Sequence, residues 1–273
     1  MTPPEEPGFD ALAAKISRET GLPLRDYKDK CLRRRIAVRM RASGAHTYSE
    51  YQAHLDRHPE EYERLKDAIT INVTRFYRNA ETWNLLRETV LREICADSRH
   101  EVRAWSAGCS SGEEPYTLAM LIADSLDAQG RGDRLSLVTI DATDIDRDCV
   151  ERAQAARYSP DALAEIPPAL AQRYFEREGN THRVAERVRK RVLVRAADLC
   201  TDPPPRRNYH LILCRNVVIY FGRDTQERVF SAFADALAPG GFLVLGKVET
   251  LFGPARERLT LLDPRERVYR RAA

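Results

Sequence analysis

The chain has no Cys-x-x-Cys pair, for its six cysteines stand apart at positions 31, 95, 109, 149, 200 and 214. That spacing excludes a zinc ribbon and a dithiol redox motif and leaves reduced, structural thiols as the reading. No stretch approaches the ~18 apolar residues of a membrane span. The opening MTPPEEPGFD has neither a basic start nor an apolar core, so the expectation is a cytoplasmic protein with no membrane insertion. Net charge is also scarce: 44 Lys and Arg against 41 Asp and Glu leave +3, so no global field announces a nucleic-acid partner. There is no internal repeat and no low-complexity tract. What remains, 43% hydrophobic and 31% charged in 273 residues, is an ordinary folded chain, long enough for one large domain and one small one.

From about residue 8 to 70 the apolar residues recur at helical spacing, with Leu32, Ile36 and Met40 on one stripe and Tyr48, Tyr51 and Leu55 on another. This predicts a small all-helical domain, followed by an amphipathic helix over 80–95. After residue 100 short apolar runs alternate with helical patterns: VRAWSAG, EEPYTLAMLIADSL, LSLVTIDATDID, RDCVERAQAA, YHLILCRNVVIYF, TQERVFSAFADALAPGG, FLVLGKVE. Buried strands alternating with helices imply crossovers and a doubly wound α/β sheet. Residues 158–197 exceed a plain crossover, and the alternating THRVAERV and RVLVRAAD suggest an inserted unit of antiparallel strands.

The stretch INVTRFYR (71–78) alternates like a strand and contains the triplet Asn72-Val73-Thr74, a glycosylation pattern. In a chain read as never entering the secretory path that pattern is silent. The first strand runs into Ser106-Ala107-Gly108-Cys109-Ser110-Ser111-Gly112-Glu113-Glu114-Pro115, whose small residues let backbone approach a ligand. Glu113 and Glu114 would repel a phosphate there and favour a ligand with neutral or positive groups. The plainer reading is that the serines cap the helix and the glutamates complement its dipole. Asp144 ends the second strand, where a carboxylate accepts both hydrogen bonds of a ribose, and Asp146 suits a helix cap. Asp202-Pro203-Pro204-Pro205 is a loop. After the next strand, Asn216 and Tyr220 stand at the sheet edge where α/β ligands bind, among Val217, Ile219 and Phe221. The second helix carries a basic surface, including Arg34, Arg35, Arg39 and Arg41, able to recruit an acidic partner.

In that order, and behind a basic helical domain, INVTRFYR, WSAGCSSGEEPYT, ATDID, CRNVVIYF and APGGFLVLGKVE resemble the CheR-type chemotaxis receptor methyltransferases over residues 8–265. The resemblance implies an α/β fold of the class I S-adenosylmethionine-dependent methyltransferase kind, with a mostly parallel seven-stranded Rossmann-like sheet. It implies a helical receptor-recognition domain over 1–72, a linker and connecting helix over 73–95, and a methyltransferase domain over 96–273 with a β-subdomain inserted at about 158–195. The activity implied is transfer of a methyl group from S-adenosylmethionine to glutamates of chemoreceptor helices, leaving S-adenosylhomocysteine and using no metal.

Carried over by position, Asn72, Thr74 and Arg78 serve the cofactor's methionine end, Gly108 and Glu113 the loop contact, and Asp144 the ribose. Asp198 and Leu199 lie by the adenine, Asn216 and Val217 close the pocket, and Arg78 and Tyr220 are the catalytic candidates. Arg34, Arg35, Arg39 and Arg41 grip the receptor. The expected protein is a monomer with no nucleic-acid partner. Positioning and desolvation suffice for an already ionised carboxylate, and none of the six histidines falls in these motifs. Three departures stand out. Tyr77 replaces a Phe, and Gly246-Lys247-Val248-Glu249 replaces Gly-His-Ser-Glu. The segment from Tyr174 to Val194 is short, so no receptor C-terminal peptide tether is expected to be required. The alternatives are a non-catalytic cofactor-sensing or scaffolding module and, on the basic helix alone, a nucleic-acid methyltransferase.

Overall fold

The computed structural model describes residues 8–96 and 101–272, so the first seven residues of the opening MTPPEEPGFD lie outside it. Two compact units emerge: residues up to Asn72 together with Tyr220–Gln226, and Val73–Ile219 together with Glu227 onward.

The first unit holds α1 (Phe9–Thr20), α2 (Asp29–Ser43), α3 (Tyr48–Arg57) and α4 (Glu61–Thr70). Glycines in left-handed conformation end α1 and α2, Gly21 and Gly44 both at φ 75°, where a side chain would be strained. Thr47 and Glu50 form a reciprocal capping box at the start of α3. The apolar stripes meet in a core of Leu12, Ile16, Leu32, Ile36, Tyr51, Leu55, Leu65 and Ile69, all buried. Segment 220–226 joins this unit: Gly222 N–H donates to the Asp26 carbonyl at 2.8 Å and the Thr225 hydroxyl to the Asp26 carboxylate at 2.8 Å.

The second unit begins with α5 (Ala80–Glu88) and α6 (Val90–Ala96). The single helix expected over 80–95 is interrupted at Thr89, whose hydroxyl bonds back to the Leu85 carbonyl at 2.6 Å. Both helices bury Trp83, Leu86, Val90, Leu91 and Cys95 in the main core, so residues 80–96 are part of this unit's packing and not a bare connector. There follow β1 (Val102–Ala107), α7 (Glu113–Ala128), β2 (Val138–Asp144), α8 (Arg147–Ala155), β3 (Arg157–Tyr158) and α9 (Pro168–Tyr174). Then come β4 (Phe175–Glu178), β5 (Thr181–Val184), α10 (Glu186–Arg189), β6 (Val192–Ala196) and β7 (Tyr209–Cys214). The chain closes with α11 (Arg223–Ala236), which groups with the second unit from Glu227 onward, β8 (Leu237–Leu245), α12 (Ala255–Arg258), β9 (Leu259–Asp263) and β10 (Val268–Arg271).

Seven strands form one sheet in the order β6-β2-β1-β7-β8-β10-β9, parallel except for β10, which runs antiparallel to both neighbours. The chain builds outward from β1 to β2 and β6, then crosses to β7, so the C-terminal ends of β1 and β7 flank a topological switch point. A separate sheet, β3-β5-β4, is antiparallel, as the sequence suggested. The inserted unit is shorter than 158–195 at its far end, because Val192–Ala196 pairs in parallel with β2 in the main sheet. Helix α7 is buried on nearly every side, which matches its unbroken apolar run. All six cysteines are free thiols. No helix among the described residues is long and apolar enough to cross a membrane.

Candidate active site

At the end of β1 the chain turns through Gly108 (φ 80°), Ser110 (φ 48°) and Gly112 (φ 98°), a run of left-handed residues that aims backbone inward. The amides of Gly108 and Cys109 donate to the Thr143 carbonyl at 2.8 and 3.0 Å, binding this loop to the end of β2. A Cβ at Gly108 would stand 2.4 Å from a methyl of Val217, so only glycine lets the loops after β1 and β7 approach this closely. Asp144 completes the junction: its Oδ2 accepts from Ser110 N–H at 2.7 Å and its Oδ1 from Asp146 N–H at 2.9 Å. A carboxylate offers about four acceptor sites, so these backbone donors leave acceptor capacity for a ligand. Asp146 caps α8 through Asp148 and Cys149 N–H.

The serines do not cap α7. Its N-cap is Gly112, without a side-chain bond, while Ser111 Oγ donates to Glu113 at 2.8 Å and Ser106 Oγ to Glu114 at 2.8 Å. Glu113 therefore sits buried and Glu114 largely buried at a helix N-terminus, each held by a hydroxyl. Burial pushes the Glu113 carboxyl above its ordinary range, against the pull of the Ser111 hydroxyl. Burial does the same to Glu114, outweighing the Arg215 guanidinium, and to Asp144, against its backbone donors.

Arg215, directly after β7, is buried and reaches three places. It donates to the Arg78 carbonyl at 2.8 Å, to Asn79 Oδ1 at 3.0 Å and to Glu114 Oε2 at 3.4 Å, with its guanidinium 5.2 Å from the centre of the Trp83 ring. It thus fastens the 73–79 segment to β7 and α7. That segment is a turn and not a strand, with Tyr77 and Asn79 at φ 58° and 62°. Phe76 is fully buried, edge-on to Tyr158 at 4.7 Å and Phe175 at 5.2 Å. Val73, three residues earlier, is 64% exposed. Thr74 hydrogen-bonds Glu113, and Arg78 Nη1 donates to the Val73 carbonyl at 2.9 Å.

A model of the CheR methyltransferase S-adenosylmethionine-binding domain matches residues 72–266, and one of the CheR all-alpha domain matches residues 7–70. The chain belongs to the CheR methyltransferase family. It is 33% identical over 263 residues to a chemotaxis protein methyltransferase of Listeria monocytogenes, covering 96% of this chain and 97% of that one. A chemotaxis protein methyltransferase of Escherichia coli is 33% identical over 264 residues, with 93% and 87% covered. Pseudomonas aeruginosa chemotaxis protein methyltransferase 2 is 32% identical, with 88% and 85% covered.

The donor set of this CheR-family chain fits S-adenosylmethionine. Arg215 is engaged with Glu114, which leaves Glu113 and Asp144 to give the loops a negative character suited to a sulfonium and an ammonium and hostile to a phosphate. Among the described residues no cluster of His, Cys, Asp and Glu is arranged to hold a metal.

The structure brings Thr74, Arg78, Gly108, Glu113, Asp144, Asn216 and Val217 into one unit, at or beside the ends of β1, β2 and β7. Asp198 organises its own turn, accepting from Cys200 N–H at 2.8 Å and Thr201 Oγ at 3.0 Å, with Leu199 half-buried inside that turn. Asn72 and Tyr220 group with the helical unit. Tyr220 lies under the Arg35 guanidinium, 4.5 Å from ring centre, and its carbonyl accepts from Lys28 N–H at 2.8 Å.

Two of the four receptor-binding arginines need correcting. Arg35 is buried and donates to the carbonyls of Ala68 and Ile69. Arg39 makes a bidentate bridge to buried Glu61 at 2.8 and 2.7 Å, a carboxylate that also accepts from the Tyr51 hydroxyl at 3.0 Å. Their cationic groups are consumed inside the helical unit. Arg34 and Arg41 are exposed. Sequence reasoning missed Arg215 altogether and assigned no role to Glu249, which accepts four backbone N–H groups of the loops after β7 and β8.

Proposed function

We propose that this chain transfers the methyl group of S-adenosylmethionine to glutamate side chains on the cytoplasmic helices of chemoreceptors, as a cytoplasmic enzyme of chemosensory adaptation. The observation that carries this reading is the loop junction at Asp144, where a carboxylate with spare acceptor capacity meets a glycine loop beside the buried Glu113. Its relatives, chemotaxis protein methyltransferases, support the pathway.

What the cofactor supplies when bound is a methyl group made electrophilic by a sulfonium. The chain's own residues do the rest. Asp144 accepts the ribose hydroxyls, Asn216, Val217 and Gly108 shape the floor, and Asp198 and Leu199 border the adenine. Glu113, Thr74 and Arg78 hold the methionine end, and Arg78 is also assigned to the reacting carboxylate's surroundings. No base is called for, because a receptor glutamate with a pKa of about 4.3 is already ionised at neutral pH. Alignment and exclusion of water therefore dominate the rate. Arg34 and Arg41 are the arginines of α2 left to meet an acidic receptor surface, and no peptide tether is required.

Incubation with methyl-labelled S-adenosylmethionine and a chemoreceptor cytoplasmic fragment tests the reading. A base-labile methyl ester mapped to receptor glutamates, lost in Asp144→Ala and Arg78→Ala, is the expected result. Cofactor binding without transfer to any receptor would favour a sensing module instead.

A further inference from the structure

Beyond the end of β7 the backbone must leave the sheet, and it does so through Asn216 in left-handed conformation at φ 62°. The N–H groups of residues 216, 217 and 219 then converge with no strand to receive them. Such a concavity of amides is an anion nest. Here the chain fills it from within. Glu249, 3% exposed, accepts Val217 N–H at 2.9 Å and Ile219 N–H at 3.2 Å on Oε1, and Asn216 N–H at 2.9 Å and Gly246 N–H at 2.6 Å on Oε2. The approach is too close for any side chain at Gly246, since a Cβ there would stand 2.7 Å from Glu249 Oε2 and 2.8 Å from the Asn216 nitrogen.

We propose that Glu249 is a positioning residue that sets the cofactor-site turn carrying Asn216 and Val217. The inference rests on the methyltransferase reading for its ligand, while the clamp itself stands on the four bonds. Only a carboxylate satisfies all four donors, because each of its oxygens accepts and neither donates. A glutamine presents one acceptor oxygen and turns its NH2 toward two of the N–H groups. Freed of that clamp, Asn216 relaxes from its left-handed conformation, and Val217 loses its fixed seat against Gly108.

The test uses the full chain and Glu249→Gln, with S-adenosylmethionine as the probe. KM for the cofactor and its calorimetric Kd rise by roughly 10- to 100-fold, as loss of two charge-assisted bonds implies. At saturating cofactor kcat stays within about threefold, the signature of lost positioning at the binding step. Amide exchange at residues 216, 217, 219 and 246 accelerates while the amides of β1 and β2 stay protected. Glu249→Asp keeps the acceptors and recovers part of the affinity, and it carries the same comparison if the glutamine variant does not fold. Unchanged cofactor affinity with unchanged exchange at 216–219, or acceleration spread evenly over the sheet, would overturn the proposal. If the unsubstituted chain itself binds no S-adenosylmethionine, the methyltransferase reading fails, and the exchange pattern still decides the clamp.

Discussion

Each unit holds an arginine–glutamate pair with one partner buried and the other partly so, and the two pairs are built differently. In the helical unit Arg39 meets Glu61 through two parallel bonds of 2.8 and 2.7 Å, and Tyr51 takes a further acceptor site. That pair is closed on itself and does the work of a core. In the second unit Arg215 meets Glu114 through one contact of 3.4 Å and spends its other bonds on the Arg78 carbonyl and Asn79, while its Nε is buried without a partner among the described residues. That pair is open, and what it holds is the segment bearing Thr74 and Arg78. A saturated pair signals architecture, whereas one that spreads its bonds over loops signals a site.

Breaking the open pair has the largest effect. Arg215→Ala leaves Glu114 buried without its cation and unfastens 73–79, at about 3–5 kcal/mol by denaturant titration, together with loss of methyl transfer. The double variant Arg215→Met with Glu114→Gln recovers most of the stability and little of the activity. Arg39→Ala costs about 3 kcal/mol, the lower end because Tyr51 and Arg64 remain near Glu61. Its cofactor Kd stays within about twofold of the parent. Equal losses of cofactor affinity from both variants would erase the distinction between the pairs.

The difference between the pairs also shows what was legible in the sequence. Gly108, Glu113 and Asp144 stand immediately beyond apolar runs, so strand ends revealed them. The inward placement of Arg35 and Arg39 has a signal in the sequence: they fall at helical spacing beside Leu32, Ile36 and Met40, along the buried stripe. The partners of Arg215 and Glu249 lie 101, 137 and 33 residues away, and no local pattern encodes such contacts. Strand β6 was placed in the insertion for the same reason, since parallel pairing with β2 leaves no hairpin signature.

Smaller effects sharpen the contrast further. Asp144→Asn keeps the volume but loses an acceptor facing two backbone donors, and S-adenosylmethionine binding weakens by roughly 10- to 100-fold in calorimetry. Acidification separates stability from binding. Burial raises the carboxyls of Glu113, Glu114, Asp144 and Glu249 in the native chain, while the unfolded chain keeps ordinary values near 4. As pH falls the native state takes up these protons first. The contribution of these four groups to stability is therefore fully present below about 4 and is lost as pH rises through the raised values. Cofactor affinity runs the other way, falling with acid as the acceptors protonate. Calorimetric Kd and denaturant midpoints measured across the same acidic range check both signs. Arg34→Ala, at an exposed position, changes stability by less than about 0.5 kcal/mol and weakens binding to a receptor fragment in a salt-dependent manner.

The most direct measurement of the chain's chemistry is label transfer from methyl-labelled S-adenosylmethionine to a chemoreceptor cytoplasmic fragment, with the modified peptides mapped by mass spectrometry. Base-labile label on receptor glutamates, abolished in Arg215→Ala and retained in correctly folded Arg39→Ala, is the predicted result. Label on no receptor residue, or transfer undiminished in Arg215→Ala, would contradict it.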